Sequence, residues 1–182
     1  MWIIVGTALV VALMIVVGMY NSLVRLRVLC DNAWADIDVQ LKRRCDLIPS
    51  VVETVKGYAH HEKQTLEAVV SARTRAMGAE RPAARAEAEN ALGSALRQLF
   101  ALVETYPQLR AVEGFTSLQS TLSELEGTVQ DARRYYNAVV RDLNTRIAVF
   151  PSSLIAGAFG FTPREFFELR EGAQRQPPKV AF

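Results

Sequence analysis

The sequence has few residues that interrupt regular structure and few that cross-link a chain. Its 182 residues include 10 glycines, 7 prolines and 2 cysteines, a composition that favours long regular elements over a loop-rich fold. Cys30 and Cys45 have no neighbouring His or Cys, and on one continuous helix about 22 Å of rise would separate them, beyond the reach of a disulfide. Two unpaired thiols are typical of a reducing compartment.

The sequence also lacks a strong charge imbalance and the common catalytic motifs. The formal charge of +2 argues against a nucleic-acid-binding protein, which would carry a dense basic stripe. Serine nucleophile elbows, phosphate-binding glycine loops and Cys-His constellations are absent from the sequence. His61-Glu62 begins the HExxH pattern of zinc proteases, but the fifth position is Thr65, and His60 would lie on another helix face. We therefore predict no enzymatic activity, no metal and no cofactor.

What the sequence does have is a long uncharged run at its amino terminus. As a helix, residues 2–19 span about 27 Å, close to the roughly 30 Å of bilayer hydrocarbon. Trp2 and Tyr20 lie at the two ends, where aromatic rings settle at headgroup level. We predict a transmembrane anchor over residues 1–20. A cleaved signal peptide is the alternative, but the run lacks a basic n-region and a small-x-small cleavage site.

The distribution of basic residues predicts the orientation of this anchor. Arg25, Arg27, Lys42, Arg43 and Arg44 follow the run and none precedes it. By the positive-inside rule, we expect a single-pass protein of the inner membrane with its amino terminus outside and its domain in the cytoplasm. A periplasmic domain is the alternative.

Beyond the anchor, apolar residues recur every three or four positions, which is typical of helices. The pattern predicts one helix from about 21 to 46 that Pro49 ends, a second that ends near Gly78, a third closed by Pro107, and a fourth from Phe115 to Phe150. No strand-like alternation competes with this pattern. The predicted fold class is all-α: an elongated antiparallel up-down bundle of about four long helices over 21–150 behind the transmembrane helix.

The stretch "NAWADIDVQLKRRCDLIP", residues 32–49, combines carboxylates, basic residues and a thiol. On a helix Asp36 and Asp38 point about 200° apart, so they cannot share a metal. Lys42, Arg43 and Arg44 would fall in the last turn of a helix, where cations are stabilising. The alternative for this basic run is contact with a partner protein or with lipid headgroups.

Two further features carry predictions. Asn137 and Asn144 lie one heptad apart beside an apolar seam, so we expect them to fix helix register; a ligand site is the alternative.

An up-down bundle would return Phe150 to the membrane end. The apolar, aromatic segment 151–170 that follows would then place Phe159 and Phe161 at the bilayer interface or against another protomer. Alternatively, the segment closes the end of its own bundle. Residues 171–182 are predicted to be a flexible tail.

Several blocks of the sequence resemble the LemA family. They include "YNSLVRLR", "IDVQLKRRCDLIP" and "FPSSLIAGAFGF", and the resemblance runs from about Tyr20 to Phe167. It implies a bacterial single-pass membrane protein with a long helical-bundle domain, and it supplies no enzymatic activity, cofactor or catalytic residue. Because members are often encoded near membrane proteins of stress or protease type, the resemblance also implies a partner such as a stress-related membrane protease.

These observations predict a non-enzymatic, membrane-anchored scaffold or adaptor that binds other proteins at the membrane. The alternative is a self-associating structural or membrane-organising protein. Ala8 and Ala12, a small-xxx-small pair in the anchor, permit this second reading. The expected partners are thus the lipid bilayer, other membrane proteins and, in the alternative, further copies of the chain, but no nucleic acid.

Overall fold

The computed structural model describes residues 1–59 and 61–168, and this part of the chain is helical without a strand. The all-α fold class is therefore confirmed, whereas the up-down order of the helices stays a prediction. The predicted tail over 171–182 lies outside the described residues. Six helices follow one another along the described chain: α1 Trp2–Tyr58, α2 Lys63–Gly78, α3 Pro82–Val103, α4 Pro107–Arg110, α5 Glu113–Ala148 and α6 Ser152–Ala158.

The chain folds into two compact units. The first, here called the anchor unit, comprises Met1–Leu41 and Gly127–Phe166. The second, here called the bundle unit, comprises Lys42–Glu126 and the described residues after Phe166. Helices α1 and α5 each contribute residues to both units.

In the anchor unit, α1 and α5 run antiparallel. Ser22 of α1 shares a groove with Thr145 of α5, whereas further along α1 the ring of Trp34 lies 5.5 Å from that of Tyr136. The shared interface is apolar because both helices bury residues at three-four spacing. The buried set is Leu23, Cys30, Ala33, Ile37 and Leu41 from α1, and Val129, Tyr136, Val139, Val140 and Leu143 from α5.

Helix α1 also contains the apolar run at the amino terminus. Among the described residues it is the one helix long and apolar enough to cross a membrane, and none of the residues in its apolar window is buried. The helix continues without interruption from this run into the packed part of the anchor unit.

In the bundle unit, the last part of α1 packs with α2, α3 and the start of α5 around an apolar core. The side chains of α2 that enter this core are small or β-branched apart from Leu66, which lets α2 approach its neighbours closely. The core includes Ile48, Val51 and Val55 of α1; Leu66, Val69, Ala72 and Ala76 of α2; and Leu92, Leu96, Leu99 and Val103 of α3.

The predicted helix boundary at Pro49 is wrong, because α1 passes through this proline and ends at Tyr58. Proline has no N–H, so the carbonyl of Cys45 one turn earlier loses its helical donor. Arg73 of α2 replaces that donor: its Nε donates to the Cys45 oxygen at 2.7 Å. Ile48 and Val51 on either side of the proline are fully buried, and this packing also favours the continuous helix.

Other helix ends agree better with prediction. Helix α2 begins later than expected, at Lys63, but ends at Gly78 as predicted. Helix α3 stops at Val103 and the single-turn helix α4, which the pattern does not predict, starts at Pro107. Helix α5 occupies nearly the whole span predicted for the fourth helix.

Candidate functional site

The residues after α6 pack on the end of the apolar run of α1. The ring of Tyr20 lies 4.8 Å from that of Phe159 and 5.9 Å from that of Phe161. The guanidinium of Arg27 stands 5.3 Å from the Phe161 centroid, a cation–π contact. We call these four residues the base cluster. Phe159 and Phe161 thus contact their own chain, while Phe159 remains 58% exposed. Their contact with lipid or another protomer stays a prediction.

A glycine-dependent helix end positions these phenylalanines. Gly160 has a φ of +68°, in the left-handed region that side chains with a Cβ disfavour. Phe161 N donates to Ala156 O at 2.9 Å, and Gly160 N donates to Gly157 O at 3.4 Å. These two hydrogen bonds form a Schellman motif, which ends α6 and turns the chain back towards α1.

The residues that follow Phe161 contact α1 and α5 through a set of polar interactions that we call the latch. Asn144 accepts a hydrogen bond from Arg164 N at 2.8 Å and donates one to Arg164 O at 2.9 Å. The Arg164 side chain pairs with Asp31 at 2.7 Å, and the Tyr136 hydroxyl donates to Glu165 O at 2.9 Å. Asn144 therefore binds backbone of its own chain, and Asn137 is half-buried.

Burial keeps the nearby thiol and phenol neutral. Desolvation raises the pKa of Cys30, which Arg164 partly offsets and Asp31 reinforces. Desolvation likewise raises the pKa of Tyr136, so its hydroxyl keeps the proton that it donates to Glu165. A neutral, buried thiol is a poor nucleophile and a poor metal ligand.

A polar groove lies on the anchor unit just beyond the apolar run; we call it the interfacial groove. Its volume is about 440 Å³. It combines basic, acidic, hydroxyl and apolar side chains from α1, from the end of α5 and from the residue that follows α5. These are Ser22, Arg25, Leu26, Asp142, Thr145, Arg146 and Val149.

In the bundle unit, the three basic residues at 42–44 differ in their exposure to solvent. Lys42 and Arg43 are exposed, but Arg44 is only 6% exposed. Its guanidinium lies 2.7 Å from a carboxylate oxygen of Glu126 and 3.5 Å from one of Glu89. Arg44 is thus part of the unit's interior, which leaves Lys42 and Arg43 as the outward-facing members of the run.

Glu89 is the most buried carboxylate of this ion-pair network. It is 3% exposed, and Arg85 stands 4.0 Å from its second oxygen. Desolvation raises the pKa of Glu89 against the lowering effects of Arg44 and Arg85. The separations of 3.5 and 4.0 Å explain this direction, because long ion pairs compensate incompletely for the loss of water.

Cys45 lies beside the same network and is free and buried. Desolvation, with a smaller effect from Glu89, raises the pKa of its thiol to about 11. Across residues 1–59 and 61–168, no group of three or more His, Cys, Asp or Glu residues is placed to hold a metal ion. His60 of the HExxH-like stretch lies outside that part of the chain.

The structural roles of three polar residues in these sites were not predicted from the sequence. The buried position of Arg44 had a usable signal, because it lies three residues after Leu41 and four before Ile48 and so shares their buried face. Pro49 signals that the Cys45 carbonyl needs another donor, but nothing in the sequence identifies Arg73. Arg164 has no local signal, since its partners Asp31 and Asn144 are distant in sequence.

Comparison with known proteins gives both a family and individual relatives. The model of the LemA family matches residues 33–182. The chain is 32% identical over 81 residues to magnetosome protein MamQ 2 of Paramagnetospirillum magneticum, an alignment covering 44% of this chain and 30% of that protein. It is 29% identical over 80 residues to MamQ of Magnetospirillum gryphiswaldense, covering 44% and 29%.

A third relative is aligned over more of the chain. Protein LemA of Metamycoplasma hominis is 24% identical over 141 residues, covering 77% of this chain and 64% of the relative. The alignments therefore span less than a third of the MamQ proteins and just under two thirds of this LemA protein. The family model matches far more than half of the residues, and it includes the latch residues other than Asp31, the base-cluster phenylalanines and the ion-pair network. The chain belongs to the LemA family.

Proposed function

We propose that this protein is a non-enzymatic, membrane-anchored scaffold or adaptor that binds other proteins at the membrane. The observation that carries the proposal is the continuity of α1. One uninterrupted helix contains both the unburied apolar run and the exposed residues Lys42 and Arg43. A surface displayed on the same helix as an anchor is a simple way to hold a partner near the bilayer.

The polar side chains of the described residues support a role without catalysis. Arg44 and Glu89 neutralise each other in the bundle unit, and Asn144 binds the backbone of Arg164. Cys30 and Cys45 are buried thiols with raised pKa values. These groups stabilise structure, whereas a catalytic site brings an acid, a base and a nucleophile together around an accessible space.

Lys42 and Arg43 are the residues we assign to partner contact. They follow Met19 by 23 and 24 residues, whereas Arg25 follows it by six, so we assign them to a protein surface and not to lipid headgroups. An acidic patch on the partner would complement their charge. The family resemblance makes a stress-related membrane protease the first partner class to examine.

We place the protein in the inner membrane as a single-pass protein with its amino terminus outside. The basic residues Arg25, Arg27, Lys42 and Arg43 follow the apolar run, as the positive-inside rule requires of a cytoplasmic domain. Protease added to spheroplasts should therefore leave the domain intact and digest it only after lysis. Digestion before lysis would place the domain in the periplasm.

Photocrosslinking in intact cells tests the scaffold role. A photoreactive residue at Asp46, which is exposed one turn after Lys42, should form an adduct with a different protein. The yield should fall about tenfold when K42Q/R43Q removes both charges, equivalent to about 1.4 kcal/mol of binding. A probe at Val70, exposed on α2, provides a position control. An adduct that is unchanged in K42Q/R43Q would contradict the assigned surface.

Self-association is the second candidate function, and one surface of the anchor favours it. A shallow, almost wholly apolar groove runs along the first turns of α1, and the small residues Ala8 and Ala12 are part of its lining. Its full lining is Ile3, Ile4, Thr7, Ala8, Val11, Ala12 and Ile15. Small residues at this spacing let two transmembrane helices approach closely. Adducts of only twice the chain's mass, lost in A8L/A12L, would support this function over the scaffold.

A further inference from the structure

We propose that the interfacial groove binds the phosphate of a glycerophospholipid headgroup. This inference concerns the anchor unit and does not depend on the partner surface at Lys42 and Arg43. The two proposals can therefore fail separately.

Along α1 the groove begins within the headgroup layer, and the long side chain of Arg25 can extend back towards that layer. Ser22 and Arg25 follow Met19 by three and six residues, which corresponds to about 4.5 and 9 Å of helical rise. The polar headgroup region extends roughly 5–8 Å beyond the hydrocarbon on each side. Tyr20, at the end of the apolar run, contacts Phe159, so the carboxyl-terminal residues of the anchor unit reach the same level.

The polar side chains of the groove suit a phosphate diester. Arg25 contributes one guanidinium from α1 and Arg146 another from α5. Neither guanidinium has a hydrogen bond or ion pair within residues 1–59 and 61–168. Guanidinium groups bind phosphate oxygens in a bidentate manner, and the Ser22 and Thr145 hydroxyls add two donors. Asp142 is the one carboxylate of the lining, so the groove keeps a net charge of +1.

The apolar surface next to the groove argues for a lipid over a soluble phosphate compound. Val149 lines the groove and is 44% exposed, Phe150 follows it at 79%, and Leu154 is 64% exposed. Exposed apolar side chains beside cationic ones match an amphiphile, whose headgroup and acyl chains need both kinds of surface. The volume of about 440 Å³ lies within the range of small-molecule sites, roughly 300–1,000 Å³.

Native mass spectrometry of the full chain in detergent tests this proposal. The protein is incubated separately with phosphatidylglycerol, phosphatidylethanolamine and diacylglycerol of the same acyl composition. We expect both phospholipids to be retained and diacylglycerol, which lacks phosphate, to be lost. The variant R25Q/R146Q should retain at least about tenfold less phospholipid, because it removes both charged donors.

The variant R133Q/R134Q is the matched control. It removes two charges from α5, about three turns before Arg146, and should retain phospholipid within about twofold of the unchanged protein. Equal retention by R25Q/R146Q, or retention of diacylglycerol as strong as that of the phospholipids, would overturn the proposal. If R25Q/R146Q fails to fold, S22A/T145V tests the groove without a change in charge. It should lower retention about threefold, and a folded S22A/T145V protein with full retention would overturn the proposal.

Discussion

The two units of this protein use polar side chains in opposite ways. The anchor unit uses side-chain hydrogen bonds to the backbone: the partly exposed Asn144 holds residue 164, and the hydroxyl of the buried Tyr136 holds residue 165. The bundle unit instead buries charge, with Arg44 and Glu89 almost fully enclosed. Apolar stripes alone specify the packing of long helices only loosely. Hydrogen bonds to the backbone in one unit and a buried ion pair in the other are two ways to fix that packing.

The difference has an energetic consequence. A surface hydrogen bond is replaced by water when it is broken, so its loss is modest. A buried charge that loses its partner cannot recover water, so its loss is large. Substitutions of the buried charges in the bundle unit should therefore lower the free energy of global unfolding. Substitutions in the latch should free only the segment that the latch holds.

The largest effect should come from Arg44. R44A leaves Glu89 buried without its main partner and should lower the unfolding free energy by about 3–5 kcal/mol. R43A, which changes an exposed neighbour, should alter it by less than about 0.5 kcal/mol. Urea unfolding of the full chain in detergent, followed by circular dichroism, measures both. Similar losses in the two variants would mean that Arg44 is not a buried ion-pair partner.

Arg73 should have the second largest effect on stability, because it supplies the donor for the Cys45 carbonyl that Pro49 leaves without a helical N–H. R73A should cost about 1–3 kcal/mol, since the Cys45 oxygen loses its donor. In the background P49A, the new amide N–H supplies that donor, so R73A should cost about 1 kcal/mol less. The double-mutant cycle is measured by the same unfolding experiment. Additive effects would show that the two residues act independently.

Asn144 should have a smaller and more local effect. N144A removes both hydrogen bonds to Arg164 and should cost about 1–2 kcal/mol. Amide hydrogen exchange should increase at residues 161–166 while protection in α2 and α3 stays unchanged. N144D retains the acceptor for Arg164 N and should show a smaller increase. Equal loss of protection in both units would contradict a local latch.

Gly160 should have an effect of similar size, confined to the turn that follows α6. G160A forces a Cβ into a left-handed backbone and should cost about 1–2 kcal/mol at that turn. Because the turn directs Phe161 towards Tyr20, the variant should also increase the solvent exposure of the base cluster. G157A, in a helical position with open space around it, is the matched control and should be neutral or slightly stabilising. If both variants behave alike, the turn does not position the phenylalanines.

The helical period of the sequence predicts much of both cores. Leu23, Cys30, Ile37 and Leu41 belong to a stripe of apolar residues at three-four spacing, and all four are buried in the structure. The same period extends along α5, where Val129, Tyr136, Val139 and Leu143 are buried. Such stripes are local patterns, so they can be read without knowing which helix packs against which.

The features missed by sequence analysis depend on contacts that are distant along the chain. Local propensity alone predicts that a helix ends at Pro49. In the structure, Arg73 and the buried residues around the proline keep α1 continuous. The latch likewise pairs Arg164 with Asp31, more than a hundred residues away. A local pattern does not contain such partners, which is why tertiary contacts override propensity at these positions.

We expect the anchor unit to contact lipid and the bundle unit to contact protein. One experiment compares the two directly in intact cells: a photoreactive residue is placed at Phe150 in one strain and at Asp46 in another, both at exposed positions. Mass spectrometry should find phospholipid adducts from position 150 and adducts of a different protein from position 46. Protein adducts from position 150 together with lipid adducts from position 46 would contradict the account.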